Sequence, residues 1–156
     1  MAGPTNAIAK KAEKEIGKEL AQLAVRNGGS RFAGHIARNS KEWKHTYQHI
    51  KEHFKAEPGK ASHTVFEQRF RTKGATEKLL ERALLKPSRH PVLTLLTIDG
   101  VPGGRPAVVI ERQFSKVIGR KGTTECRIVR MVVDYQGDPI TAYPVDRFLD
   151  GAVPDV

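Results

Sequence analysis

The C-terminal third of the chain, Arg105 to Val145, carries the pattern that most limits how it can fold. Three runs, Ala107–Phe114, Cys126–Tyr135 and Ile140–Val145, are dense in Val, Ile, Thr, Tyr or Phe and are bounded by Gly, Pro or Asp. β-Branched and aromatic side chains suit a pleated, half-buried surface, so each run predicts a strand. Gln136-Gly137-Asp138-Pro139 joins the second run to the third and contains a glycine free to take positive φ, which predicts a hairpin. A basic connector, Lys116–Gly122, links the first two runs and gathers Lys116, Arg120 and Lys121. A further strand is expected over Val92–Ile98, followed by the turn-rich loop Asp99–Gly104, whose glycine pair matches no P-loop or dinucleotide fingerprint.

The residues before this sheet read as helices. Ala9, Ala12, Ile16, Leu20 and Leu23 recur at helical spacing and predict a helix over Asn6–Val25, stopped by Asn27-Gly28-Gly29-Ser30. Ser40 is a good N-cap for a second helix reaching about Phe54, with Trp43, Tyr47, Ile50 and Phe54 as its apolar stripe. A third helix is expected over Ala75–Leu85, with Leu79, Leu80, Ala83 and Leu84 facing inward, ended by the segment Lys86–Pro91. The expected class is α+β, with N-terminal helices packed on a small, twisted, mainly antiparallel sheet of four or more strands. At 156 residues the chain suits one domain over 31–156, preceded by a helical extension over 1–30.

Charge narrows the partner. The formal net charge is +10, and it is unevenly spread. Residues 1–90 hold nineteen Lys and Arg against nine Asp and Glu, whereas residues 91–156 hold eight of each. All six histidines also lie in the first ninety residues. A polyanion is the expected partner, with nucleic acid first and an acidic protein or membrane surface behind it. No apolar run approaches the roughly 18 residues needed to span a bilayer, and the N-terminus lacks a signal-peptide core, so no membrane partner is expected for the isolated domain. Cys126 is the only cysteine, which excludes an intrachain disulfide and reads as a small core residue.

No H-E-x-x-H, paired C-x-x-C, Walker loop or magnesium-holding acidic cluster occurs, so no metal or cofactor is expected. His45, His49 and His53 fall four apart on a face other than the apolar stripe, and two of them could share a metal. Three such steps drift around a helix, however, and no Cys or carboxylate completes the set, so a polar face is the plainer reading. Gly59-Lys60-Ala61-Ser62-His63-Thr64 offers a phosphate-binding loop beside a titratable imidazole.

Metal-free RNA cleavage uses the ribose 2′-OH as nucleophile and needs a base, an acid and cations around the phosphorane. His63 and Glu111 are candidates for the acid–base pair, and Arg127 for the charge. Thr141 and Tyr143, two apart on one strand face, are candidates to orient the phosphate or stack a base. Lys60, Arg69, Lys116, Arg120 and Lys121 are candidates to hold the RNA backbone. Each has a plainer reading beside it. His63 could cap or pack, Glu111 could face solvent beside Arg112, and Tyr143 could belong to the core. Arg127 and Arg130 fall on opposite strand faces, so at most one enters a given site.

The run VVIERQFSKVIG, the strand CRIVRMVVDYQGDP, the ending ITAYPV and the GKASHTVF stretch together resemble the catalytic end of bacterial toxin ribonucleases. These form the barnase–EndoU–colicin–RelE superfamily, found at the C-termini of contact-dependent inhibition (CdiA-type) and other polymorphic toxins. The resemblance covers roughly residues 35–148. It implies a barnase/EndoU/RelE-like fold and a metal-independent endoribonuclease, commonly directed at tRNA, that leaves a 2′,3′-cyclic phosphate. It also implies delivery as part of a larger secreted toxin, action in the target-cell cytoplasm, and neutralisation by a cognate immunity protein, expected to be acidic; a host factor joins the partners to test. In family terms His63 would be the proton-transfer histidine, Glu111 the strand carboxylate and Arg127 the strand arginine. Thr141 and Tyr143 would be the final-strand polar pair. Two rival classes stay open: a non-catalytic RNA-binding module, and a metal-dependent nuclease built on the histidine-rich helix.

Overall fold

The computed structural model describes residues 41–155 apart from 58, 60–62, 90, 96–105 and 135–138, together with the isolated positions 19, 22 and 26. The helix expected over Asn6–Val25 and the extension over 1–30 fall almost wholly outside the described residues, as do Lys60 and the turn at 136–138. Helix α1 (Lys41–Ile50) runs into a 3-10 turn, Lys51–Phe54, and is followed by β1 (Val65–Phe66), a second 3-10 turn and α2 (Lys73–Leu85). Strands β2 (Val92–Leu95), β3 (Pro106–Gln113), β4 (Gly119–Lys121), β5 (Thr124–Cys126), β6 (Ile128–Asp134) and β7 (Pro139–Val145) follow among the described residues. The class is α+β. Among the described residues no helix is long and apolar enough to cross a membrane.

Among the described residues the strands form two sheets where one was expected. Four strands run in the order β2-β3-β6-β7 and three in the order β1-β4-β5, with every pairing antiparallel. The expected strand Cys126–Tyr135 breaks at Arg127, so that β5 belongs to one sheet and β6 to the other. The second half of the basic connector is likewise not a loop. Gly119–Lys121 is β4 and pairs with β5 in a hairpin, whose turn places Gly122 at φ 61, a conformation open to glycine. Both strands are three residues long and mostly polar, too short for alternation to register.

Helices α1 and α2 cover one face of the four-stranded sheet. Trp43, Ile50, Leu79, Leu80, Ala83 and Leu84 are buried against Val108, Ile110, Val129, Met131, Val133 and Ala142, with Tyr47 and Phe54 packed at the margin. Both apolar stripes therefore face inward as their spacing predicts. Truncating a wholly buried residue such as Leu80 costs about 2–5 kcal/mol. Helix α2 starts two residues before the expected Ala75 because the Thr72 hydroxyl caps it, accepting from the Ala75 amide at 3.2 Å. The buried Thr46 hydroxyl donates to the Pro139 carbonyl at 2.7 Å and ties α1 to β7.

One end of the sheet's outer face is covered by the C-terminal tail, which the sequence leaves without a pattern. Phe148 is buried with Ile128 and Val145, and the Arg89 guanidinium lies 3.7 Å over its ring. The second sheet crosses β7 at Gly119, where a Cβ would come within 2.6 Å of both Pro144 and the Val65 carbonyl. Only glycine permits that approach.

Candidate functional site

A cleft of about 350 Å³ opens where the second sheet meets the β7 edge of the first. It joins parts far apart in sequence: His53 on the 3-10 turn, His63 and Thr64 before β1, Lys121 ending β4, Arg130 on β6, Tyr143 and Val145 on β7, and Asp146 and Arg147 just after it. The His53 ring stacks on His63 at 4.7 Å and on Tyr143 at 5.3 Å, with interplanar angles of 14° and 21°. Lys121, Arg130 and Arg147 supply positive charge, and Asp146 is the carboxylate in the lining.

His53 reaches the cleft because α1 does not continue as an α-helix. The tightening at Lys51–Phe54 leaves His53 at φ −93, ψ 15, out of step with His45 and His49. Those two meet each other instead, with their Nε2 atoms 3.2 Å apart. The three histidines therefore do not converge, and among the described residues no group of three His, Cys, Asp or Glu is arranged to hold a metal ion.

Backbone carbonyls set both imidazoles. Nδ1–H of His53 donates to the Thr64 carbonyl at 2.7 Å, which leaves its Nε2 as the basic nitrogen of the neutral ring. Burial holds the His53 pKa below the usual histidine value, against the Thr64 hydrogen bond, which raises it; the neighbouring His63 adds to the lowering. Nε2–H of His63 donates to the carbonyls of Glu52 and Lys55, both at 3.0 Å, and so caps the end of the 3-10 turn. His63 thus both caps the turn and lines the cleft, and neither of these two bonds uses its Nδ1.

The charged row comes from strand register. Glu111 on β3 lies opposite Arg130 on β6, and Arg130 lies opposite Tyr143 on β7. Cross-strand partners share a face, so the three side chains form one line across the sheet. Glu111 is 5% exposed; its Oε2 lies 3.0 Å from Arg130 Nη2, and both its oxygens accept from the Leu149 amide, at 3.0 and 2.9 Å. Arg130 Nη2 also donates to the Arg147 carbonyl at 3.2 Å. Glu111 therefore sits behind Arg130 and fixes both that guanidinium and the tail; it does not line the cleft.

Of the residues singled out in the sequence, His63, Tyr143 and Lys121 meet in this cleft. Arg69, Lys116 and Arg127 line a different one, of about 550 Å³, beside Glu67 and Gln68. Arg120 is exposed between the two, bonded to Glu67 at 3.0 Å. Thr141, half-buried opposite Val132, lines neither. Arg127 is drawn away from the first cleft by the break between β5 and β6; Arg130, on the opposite strand face, takes the position there.

Sequence reasoning missed His53, Arg130 and Arg147 as cleft residues. The only signal for His53 was its membership of the four-spaced set, and the kink that redirects it leaves no mark in the residues. Cys126, wholly buried, has its thiol pushed up to about 11, mainly by burial and then by the Asp146 carboxylate, which leaves it an unreactive core residue. Comparison of the chain with protein-family models, curated proteins and solved structures finds no match, so the chemistry rests on the geometry above.

Proposed function

We propose that the protein is a metal-independent endoribonuclease whose active site is the His53–His63–Tyr143 cleft. The observation that carries this reading is the stack itself: two imidazoles and a phenol ring beside Lys121, Arg130 and Arg147, with His53 held in a single tautomer by Thr64. In the proposed reaction Nε2 of His53 takes the proton from a ribose 2′-OH. The O2′ attacks the adjacent phosphorus as the P–O5′ bond breaks, and His63, in its protonated form, returns a proton to the departing O5′. The three cations offset the charge that builds on the phosphorane. The products are a 2′,3′-cyclic phosphate and a free 5′-OH, and the reaction needs RNA because DNA lacks the nucleophile.

The basic N-terminal half supports a nucleic-acid substrate. The toxin-like stretches of sequence extend the proposal to a delivered toxin domain that cleaves tRNA in the target-cell cytoplasm and is covered by an acidic immunity protein, since complementary potential speeds association. The test is incubation of purified protein with total bacterial RNA, with and without EDTA, followed by end-group analysis. Discrete EDTA-resistant fragments ending in cyclic phosphate are expected. RNA binding without cleavage, even with cell extract added to supply a host factor, would replace this reading with the non-catalytic RNA-binding module. DNA cleavage abolished by chelator would replace it with the metal-dependent nuclease.

A further inference from the structure

The second cleft has cations but no imidazole, and its architecture is ordered. Arg127 Nη1 donates to the Ser115 carbonyl at 2.6 Å and Arg69 Nη2 to the Val117 carbonyl at 2.7 Å, so one short segment anchors two guanidinium groups on either side of Lys116. The Arg69 guanidinium also lies 4.7 Å over the Phe70 ring, and Arg127 contacts Glu125 at 3.3 Å. A guanidinium carries five donors in a fixed fork, so each arginine keeps donors in reserve after these bonds. The carboxylate in the lining, Glu67, is already paired with Arg120. What remains facing the cleft is positive charge, with both guanidinium groups held in place before any ligand arrives.

The position of the cleft gives it a substrate. Strand β1 pairs with β4 through Val65 opposite Arg120 and Phe66 opposite Gly119. Thr64 and Lys121, at one end of this ladder, line the first cleft, while Glu67 and Val117, at or beyond the other end, line the second. Thr64 and Glu67 are three residues apart, roughly 10 Å along an extended chain. Arg120 stands exposed between the two clefts.

We infer that Arg69, Lys116 and Arg127 form a phosphate subsite for the same RNA strand that enters the first cleft, gripping a phosphate beyond the one that reacts. This rests on the ribonuclease reading above and assigns the second cleft a binding role without chemistry. It also gives Arg127 a function other than charge stabilisation at the reacting phosphate.

The test uses the full chain and two probes, a 2′-O-methylated RNA dodecamer that cannot be cut and a ribodinucleotide with a single phosphodiester. In the Arg69→Gln/Lys116→Gln/Arg127→Gln protein the dodecamer should bind about tenfold more weakly, and its salt dependence should flatten by about 0.7 in log–log slope for the lost phosphate contact. Cleavage of the dinucleotide, too short to span both clefts, should fall much less. Lys116→Glu, a single change at an exposed position, should weaken dodecamer binding in the same direction and guards against a disturbed loop in the triple variant. Unchanged dodecamer affinity and slope in both variants would overturn the subsite. So would an equal loss on the two probes, which would mean that these cations act at the reacting phosphate. If the unaltered protein cuts no RNA, the ribonuclease reading alone fails, and dodecamer binding still decides the subsite.

Discussion

The two clefts flank one short β-ladder and are both lined by three cations, yet they differ in what else they hold. The first adds two imidazoles and a tyrosine, with His53 held as one tautomer by a carbonyl. The second adds only Gln68, Val117 and a carboxylate that is already paired. Charge of this kind suits both to the phosphates of a polyanion, because phosphate attraction carries no chemical instruction. Proton transfer requires groups that change charge near neutral pH and are aimed before substrate arrives. In a chain this basic the density of Lys and Arg therefore does not tell the two clefts apart; the oriented imidazoles do.

The sharpest way to break the comparison is to remove the proposed base. His53→Ala should lower single-turnover RNA cleavage by roughly 10²–10⁴-fold, the usual contribution of a positioned general base. RNA affinity should change far less, since the cations remain. A His53→Ala protein that stays folded and cleaves at the unaltered rate would erase the distinction between the clefts.

Glu111 tests whether the first cleft depends on what lies behind it. Glu111→Ala leaves the largely buried Arg130 and the Leu149 amide without their shared acceptor, a loss of about 3 kcal/mol. Thermal unfolding should shift down by roughly 10 °C, and cleavage should fall with it. Dodecamer binding through the second cleft should persist at temperatures where the variant is folded. Were Glu111 itself the base, Glu111→Gln would abolish cleavage while sparing stability, and that outcome would reassign the chemistry.

Gly119 is the seam that holds the two clefts in register. Adding a Cβ there meets the Val65 backbone carbonyl, which cannot swing aside as a side-chain end can. Gly119→Ala should therefore cost about 1–3 kcal/mol, read by denaturant unfolding, and should weaken coupling between the clefts. A neutral result would mean that β4 can move off β7 without loss.

The smallest expected effect is a pH shift confined to the first cleft. Because burial lowers the His53 pKa below the ordinary 6.5, the neutral, basic form persists as pH falls past that value. The acidic limb of the cleavage profile should therefore lie below the usual histidine range. The same shift makes the folded state bind fewer protons than the unfolded chain, so the stability it contributes is full above 6.5 and is lost as pH falls through the folded value. Dodecamer affinity, governed in the second cleft by Arg and Lys, should show no matching step. An acidic limb at or above 6.5 would separate His53 from the rate.

The local sequence determined the elements whose signal is periodic. Trp43, Tyr47, Ile50 and Phe54, and the Leu79–Leu84 stripe, mark their buried faces because a helix repeats its neighbours every three or four residues. The runs around Val108, Val132 and Thr141 read as strands for the equivalent reason, and the α+β class follows from the order of these elements. His63 and Lys121 were legible as site candidates because glycine-containing, basic stretches set them apart, and Tyr143 because it shares a strand face with Thr141. Tertiary structure alone decided the rest. It split one expected sheet into two at Arg127, sent that arginine to the second cleft and brought Arg130 into the first. It also turned His53 out of its helical set toward Thr64, and buried Glu111 behind Arg130. These outcomes depend on contacts between residues 11 to 90 positions apart, on a single 3-10 tightening, and on a glycine that lets two sheets cross. Periodicity within a segment records which face is buried; it carries no information about which distant segment will cover it.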